Sequence, residues 1–290
     1  MSDIQDVVHE VRTFSGFDGL DLVADCFGDS GNQAVIFAHG GGQTRYAWGQ
    51  AAKTLARKGF YSVAFDSRGH GDSNWCPDGN YRLSDYGKDM GNIARSLNNP
   101  IVVGASLGGL SAISATHEVG EGIFSAIVLV DVTPRMDIGG VSKVLGFMGD
   151  KVEQGFPSLE AAADAIATYL PHRKKPKSLD GLAKNLRLGD DGRYRWHWDP
   201  KFVNSENRPT MEGHADRLYG MASQIHQPML LIRGQMSELV TRESAEEFLQ
   251  RVPNARYVDI EDAGHMIAGD KNDVFTQSVV TFVNSLGMTN

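Results

Sequence analysis

The sequence predicts an α/β fold: a mostly parallel central sheet with helices on both faces and one long insertion. Three observations carry that expectation. Short runs rich in Val, Ile and Phe alternate with longer amphipathic stretches, the pattern of strands joined by crossover helices. The first two apolar runs are close enough to pair as antiparallel neighbours, whereas the later ones are separated by helix-length segments. The alternation stops near residue 132 and resumes at 228.

Taken in order, Val7 to Phe14 and Leu20 to Phe27 read as the antiparallel pair, and Gln33 to Ala38 as a buried strand ending in His39-Gly40-Gly41-Gly42. Trp48 to Lys58 reads as a helix, Phe60 to Phe65 as a strand, Leu83 to Leu97 as a helix and Ile101 to Val103 as a strand. Leu107 to His117 follows as a helix, and Ser125 to Val130 returns to the sheet. Within 132–227 the predicted elements are helical, as in Leu159 to Tyr169, and no strong buried strand occurs until Pro228 to Arg233. Ala255 to Ile260 and the amphipathic helix Val274 to Leu286 close the chain. The domain reading is therefore a core of 1–131 and 228–290 around an insertion of 132–227. The insertion carries 14 Lys or Arg against 12 Asp or Glu and the rest 14 against 24, so the acidic character belongs to the core.

Composition narrows the function classes. With 290 residues, 41% hydrophobic and 22% charged, the chain has the make-up of a globular protein able to bury a sizeable core. A net charge of −8 leaves no basic footprint for nucleic acid, and no apolar run is long enough to span a membrane. The polar, acidic start Met1 to Asp6 lacks the features of a secretory signal, so the expected location is cytoplasmic. Cys26 and Cys76 have neither metal-ligand spacing nor the density of a disulfide scaffold and read as reduced thiols. No metal and no organic cofactor is expected, the partner is a small-molecule substrate, and the oligomeric state is left open.

Gly104-Ala105-Ser106-Leu107-Gly108 matches G-x-S-x-G, a weak pattern in a chain with 33 glycines. Its context gives it weight, because a β run leads directly into it and an Ala- and Leu-rich helix leads directly out. A sharp strand-to-helix turn of that kind holds a serine in a strained conformation with its oxygen exposed, and the helix N-terminus favours negative charge beside it. A serine hydroxyl also needs a base within reach. Of nine histidines His265 is the best placed, on a Gly264-flanked loop shortly after the last strand, at the same edge of the sheet as Ser106.

Four stretches now occur in a telling order: His39 to Gly42, Asp66-Ser67-Arg68-Gly69-His70-Gly71-Asp72-Ser73, the Ser106 turn, and Asp262-Ala263-Gly264-His265. In that order they resemble the α/β-hydrolases. The resemblance implies a serine hydrolase with Ser106 as nucleophile, His265 as general base, and 132–227 as a cap over the site. It implies an oxyanion hole from the Leu107 N–H and a second N–H in the glycine loop, at Gly41 or Gly42. For the acid it offers two places. Glu238 is the first choice, because Ser237-Glu238-Leu239-Val240 is similar to the family's Ser-Asp-x-Val; Asp131, after the strand ending at Val130, is the alternative.

The resulting expectation is cleavage of a carboxylic ester, thioester or lactone through an acyl-enzyme. Open alternatives on the same site are C–C bond hydrolysis and cofactor-free perhydrolysis, and, from a different class, a ligand-binding receptor with a hydrolase body. His39, His70 and the stretch Arg68 to Asp72 read as loop scaffolding. Trp196 and Trp198 are candidates for a pocket wall, with the insertion's own small core as the competing role. The run from His172 to Lys177 reads as a solvated loop before it reads as an anion site, and Leu145 to Met148 reads as packing.

Overall fold

The computed structural model of the protein describes residues 7–171, 178–204, 214–267 and 272–287; the basic run from His172 to Lys177 lies outside them. The main sheet contains strands β1 (His9–Ser15), β2 (Asp21–Phe27), β3 (Ala34–Ala38), β4 (Tyr61–Phe65), β5 (Ile101–Ala105), β6 (Ala126–Val130), β9 (Met229–Gly234) and β10 (Ala255–Ile260). Their spatial order is β1-β2-β4-β3-β5-β6-β9-β10. The strand β2 runs antiparallel to both β1 and β4, and every other neighbouring pair is parallel. Residues of β3, β4, β6 and β9 are buried at every position, because helices cover both faces and leave no polar side to alternate with.

The covering helices are α1 (Gly49–Arg57), α2 (Leu83–Arg95), α3 (Leu107–Val119), α8 (His214–Ala222), α9 (Arg242–Arg251) and α10 (Asn272–Ser285). Two apolar clusters fill the two faces. One joins Ile36, Val63, Val102 and Leu129 to Met90, Ile113, Leu218 and Phe248. The other joins Val35, Phe37, Val103 and Val128 to Trp48, Leu55, Phe275 and Val279. Because successive strand residues point to opposite faces, odd and even positions of β3 and β5 divide cleanly between these clusters.

The segment between β6 and β9 holds α4 (Ile138–Gly149), α5 (Leu159–Tyr169), α6 (Asp180–Ala183), α7 (Pro200–Asn204) and α8, together with a hairpin of β7 (Leu186–Leu188) and β8 (Tyr194–Trp196). Asp137 caps α4 by accepting from the Gly140 N–H at 2.8 Å, and Ser158 caps α5 by accepting from the Ala161 N–H at 3.2 Å. The hairpin was not expected: its strands are three residues each, too short for a period-2 pattern to register. The segment has its own core of Met148, Phe156, Ala162, Leu186, Trp196 and Trp198. Its last helix does not belong to that core, since Leu218, Tyr219 and Ala222 of α8 pack into the sheet-face cluster.

Candidate active site

The turn from β5 into α3 brings the chain round at Ser106, whose backbone sits at φ 46° and ψ −114°. That region costs a side-chain-bearing residue on the order of 1–3 kcal/mol and persists only where the surroundings impose it. The surroundings here are two close approaches. A Cβ on Gly104 would stand 2.6 Å from the Gly108 carbonyl, and one on Gly108 would fall on the carbonyl of Ala38 in β3. Strand, turn and helix are thus pressed together, and the serine is pushed out at the carboxyl edge of the sheet. Among the described residues its Oγ has no hydrogen-bond partner.

The neighbouring strand supplies the next group. The Ser106 N–H donates to the Val130 carbonyl at 3.3 Å, and the following residue, Asp131, adopts φ 49°, a left-handed conformation that aspartate tolerates better than most. Its N–H still continues the ladder to the Ile232 carbonyl at 2.7 Å, while its carboxylate turns toward the loop after β9. There Oδ1 accepts from the Gly234 N–H at 3.1 Å, and Oδ2 accepts from the Ser237 hydroxyl at 2.5 Å and from His265 Nδ1 at 2.7 Å. Asp131 is fully buried, and the His265 side chain is 24% exposed. The Nδ1–H donation leaves Nε2 as the basic nitrogen of His265.

The carboxylate on His265 is therefore Asp131, the second choice of the sequence reading, and not Glu238. The reason is the tight turn after β9. Ser237 Oγ accepts from the N–H groups of Leu239 and Val240, each at 3.1 Å, which points Ser237 inward onto Asp131 and the next residue outward. The Glu238 backbone backs onto α4, where its carbonyl leaves no room for a side chain at Gly140. Its carboxylate, 58% exposed, pairs instead with Lys143 Nζ at 2.7 and 2.8 Å.

The glycine loop after β3 lies against the serine: a Cβ on Gly40 would stand 3.3 Å from Ser106 Cβ. Two of its three glycine N–H groups are already engaged. Gly40 donates to Gln43 Oε1 at 3.0 Å, and Gly42, at φ 78°, donates to His70 Nε2 at 3.1 Å. Of the two positions expected to face an oxyanion, Gly42 is consumed by His70. The Gly41 N–H, like the Leu107 N–H at the start of α3, has no partner among the described residues.

Two buried imidazoles hold this loop. His39 Nδ1 donates to the Gly40 carbonyl at 2.8 Å and its Nε2 accepts from the Ser67 N–H at 3.0 Å; His70 Nδ1 donates to the Arg68 carbonyl at 3.0 Å. Each therefore needs to be neutral. Burial pushes the His39 pKa down to about 4, and burial, with a second imidazole that would repel a proton beside it, pushes His70 down to about 3. The stretch behind them is braced by ion pairs of two buried arginines. Arg68 grips Asp89 through Nε and Nη2 at 2.6 and 2.8 Å, and Arg45 bonds Asp66 and, at 2.7 Å, Asp72. Of this scaffold the sequence marked both histidines and the 68–72 loop, but not that His70 engages the Gly42 N–H.

The β6–β9 segment lies over the glycine loop. Met148 Cε and Trp198 Cζ3 are 2.9 and 3.5 Å from where a Cβ on Gly42 would stand, and Phe202 Cζ is 3.2 Å from the same point on Gly41. Trp198 thus borders the loop. Trp196, the other expected pocket residue, is interior: it stacks on Trp198 with centroids 4.9 Å apart and meets Phe156 and Phe147 edge-on. Met148 borders the loop too, where the sequence suggested packing alone, and Phe202 carried no sequence signal. Clefts lined by Thr116, His117 and Met221 and by Arg82, Ser114 and Arg217 lie toward the other end of α3, remote from Ser106. Among the described residues, no group of three His, Cys, Asp or Glu side chains converges as metal ligands would.

Comparison with known proteins agrees with the fold. The sequence profile described as "Alpha/beta hydrolase family" matches residues 35–277. The chain is 32% identical over 254 residues to esterase Rv0045c of Mycobacterium tuberculosis, spanning 82% of this chain and 78% of that one. A solved structure of that esterase superposes with a TM-score of 0.74 at 27% identity, covering 96% of this chain and 92% of the other. The chain is also 27% identical over 252 residues to the 3-hydroxybutyrate-oligomer hydrolase of Cupriavidus necator, covering 82% of this chain and 85% of that one. An alpha/beta hydrolase from Novosphingobium aromaticivorans superposes with a TM-score of 0.79 at 22% identity over 95% of this chain and 98% of its own, a likeness of fold.

Proposed function

The chain belongs to the alpha/beta hydrolase family, and from that premise we propose that it hydrolyses carboxylic esters through an acyl-enzyme on Ser106. One observation carries the reading. A serine held at φ 46° on a strand-to-helix turn is bonded through its N–H to Val130, the residue before buried Asp131, and Asp131 holds His265 by Nδ1, which leaves Nε2 as the basic nitrogen. Idle serines are not kept in so costly a conformation. An esterase and a 3-hydroxybutyrate-oligomer hydrolase among its relatives support the bond type.

In this mechanism His265 Nε2 takes the Ser106 proton as Oγ attacks the ester carbonyl carbon, and Asp131 holds the imidazole tautomer and steadies the imidazolium. The developing oxyanion is met by the N–H groups of Leu107 and Gly41, each worth about 10²–10³ in rate. His265 then protonates the departing alkoxide, and a water activated by the same nitrogen releases the acid and restores Ser106. The β6–β9 segment acts as the cap, with Trp198 bordering the pocket and Trp196 supporting it. The substrate is a small molecule.

The test is labelling with a fluorophosphonate followed by turnover of p-nitrophenyl acetate. The expected result is one label per chain at Ser106, multiple turnovers by the wild type, and neither with Ser106→Ala. Labelling confined to another residue sinks the reading. Ligand binding with a single slow turnover replaces it with the receptor alternative.

A further inference from the structure

Chemistry assigns three of the four directions around the tetrahedral carbon that the proposed mechanism forms. One bond goes to Ser106 Oγ, the oxyanion goes to the Leu107 and Gly41 N–H groups, and the leaving oxygen must lie within reach of His265, which protonates it. The acyl chain takes the remaining direction, away from His265 and across the glycine loop.

On that side the wall is aromatic, close and anchored. Phe202 Cζ and Cε1 are 3.2 and 3.4 Å from where a Cβ on Gly41 would stand, and the Leu107 Cδ2 is 4.0 Å from the same point, so the ring lies against Gly41 with the Leu107 side chain nearby. The ring is wedged edge-on against His70 and Tyr81, with centroids 4.8 and 5.8 Å away. Its short helix is tied down on each side. Tyr81 donates its hydroxyl hydrogen to Asp199 at 2.6 Å, the Asp199 N–H donates to the Gly69 carbonyl at 2.8 Å, and Lys201 Nζ donates to the Pro77 carbonyl at 2.7 Å. Met148 and Trp198, both buried, close the wall over Gly42.

On the His265 side the border is different. Met236, with its N–H bonded to the Ala263 carbonyl at 2.9 Å, is 57% exposed, and Met266 adjoins His265 with its sulfur 2.9 Å from Gln43 Nε2. Thioether side chains are apolar and adaptable, and they re-pack around groups of different shape. One side of the scissile bond is thus rigid and filled, the other, among the described residues, bordered by adaptable thioethers of which Met236 is exposed.

We propose that Phe202, backed by Met148 and Trp198, restricts the acyl side to short chains, while the side bordered by Met236 and Met266 takes larger apolar alcohols. The proposal rests on the ester-hydrolase reading above and adds the division of the substrate. A long acyl chain has to displace an anchored ring, and pocket contacts of that size discriminate by about 10–200-fold. Among the described residues a long alcohol meets no such obstruction.

Two series run on the full-length enzyme test this: p-nitrophenyl esters from acetyl to octanoyl, and acetates of alcohols from ethanol to octanol. For the wild type kcat/KM is expected to fall by about tenfold or more from butyryl to octanoyl and not to fall along the alcohol series. Phe202→Ala should raise the octanoyl-to-acetyl ratio about tenfold, and Phe202→Leu, which keeps most of the packing, should raise it by less. The Leu variant also serves if the Ala variant does not fold. A wild-type rate that rises with acyl length, or ratios in both folded variants within twofold of wild type, overturns the proposal while Ser106 labelling leaves the hydrolase reading standing. Absence of labelling and of all turnover overturns both.

Discussion

Replacing Asp131 by asparagine should reduce kcat on the order of 10⁴-fold with the fold intact. The carboxylate is fully buried and accepts from His265 Nδ1 at 2.7 Å, Ser237 Oγ at 2.5 Å and the Gly234 N–H at 3.1 Å. In the proposed mechanism His265 takes the serine proton, and the pair then becomes a salt bridge. At about 4 Å between charge centres and an effective dielectric of about 20, that attraction is worth about 4 kcal/mol. The amide also removes the group that enforces the tautomer. Turned so that its nitrogen faces Nδ1, asparagine favours the imidazole with its proton on Nε2, which cannot accept from Ser106. The two losses together fit about 5.5 kcal/mol, the equivalent of 10⁴. Shape and most hydrogen bonds survive, so circular dichroism should match wild type. Glu238→Gln is the control: its exposed pair with Lys143 is worth at most about 1 kcal/mol of stability, and kcat should stay within about twofold. Turnover of one activated ester by both variants at neutral pH decides. If the Glu238 variant is inactive while the folded Asp131 variant retains most of its rate, the assignment of the acid is refuted.

The remaining predictions concern the elements around that pair. Ser106→Ala and Ser106→Gly should both abolish turnover, but the glycine variant should melt higher than the alanine one, since only glycine relieves φ 46° at a cost of about 1 kcal/mol or more; equal melting temperatures would mean the turn stores no strain. Ser237→Ala removes a donor to Asp131 and an acceptor for two backbone N–H groups, so we expect about 1–3 kcal/mol lower stability and a partial loss of kcat that Ser237→Thr restores. Failure of Thr to rescue a folded Ser237→Ala variant would assign the loss to something other than the hydroxyl. His70 and His39, pushed down to about 3 and about 4 by burial, bind protons in the unfolded chain near pH 6.5 but not in the folded one. Their contribution is therefore complete above about 6.5 and drains toward pH 4, by up to about 1.4 kcal/mol per pH unit for each. Melting temperatures between about pH 7.5 and 5 should fall less steeply for His70→Gln, whose side-chain oxygen accepts from Gly42 without titrating; equal slopes would count against His70 as a neutral latch.

What was legible in the chain is what depends on near neighbours in sequence. The parallel sheet follows from apolar runs a few residues long separated by helical periodicity, and the antiparallel start follows from two runs joined by a short turn. The Ser106 turn is local as well, being a strand, two glycines and a helix in direct succession, although its strained backbone is also held by the close approach of Gly108 to Ala38 of β3. The place of the His265 loop, just after the last strand, is local too. The extent of the segment between β6 and β9 was visible as the gap in strand pattern.

What only tertiary structure decided is which atom faces which. Asp131 and Glu238 are both carboxylates just beyond strand ends. The choice between them turns on the Ser237 hydroxyl closing a tight turn and on α4 pressing against the far side, contacts between segments about a hundred residues apart in the chain. Gly41 and Gly42 are indistinguishable as letters, and a histidine 28 residues away takes the N–H of one and leaves the other. Phe202 has no periodic or motif signal, yet the tie between Asp199 and Tyr81, 118 residues apart, sets its ring beside Gly41. The physical reason is common to all three. Backbone propensity and hydrophobic period act over a few residues and so can be read along the chain, whereas side-chain direction at a site is chosen by close packing and hydrogen bonds from elements that meet only once the sheet has formed.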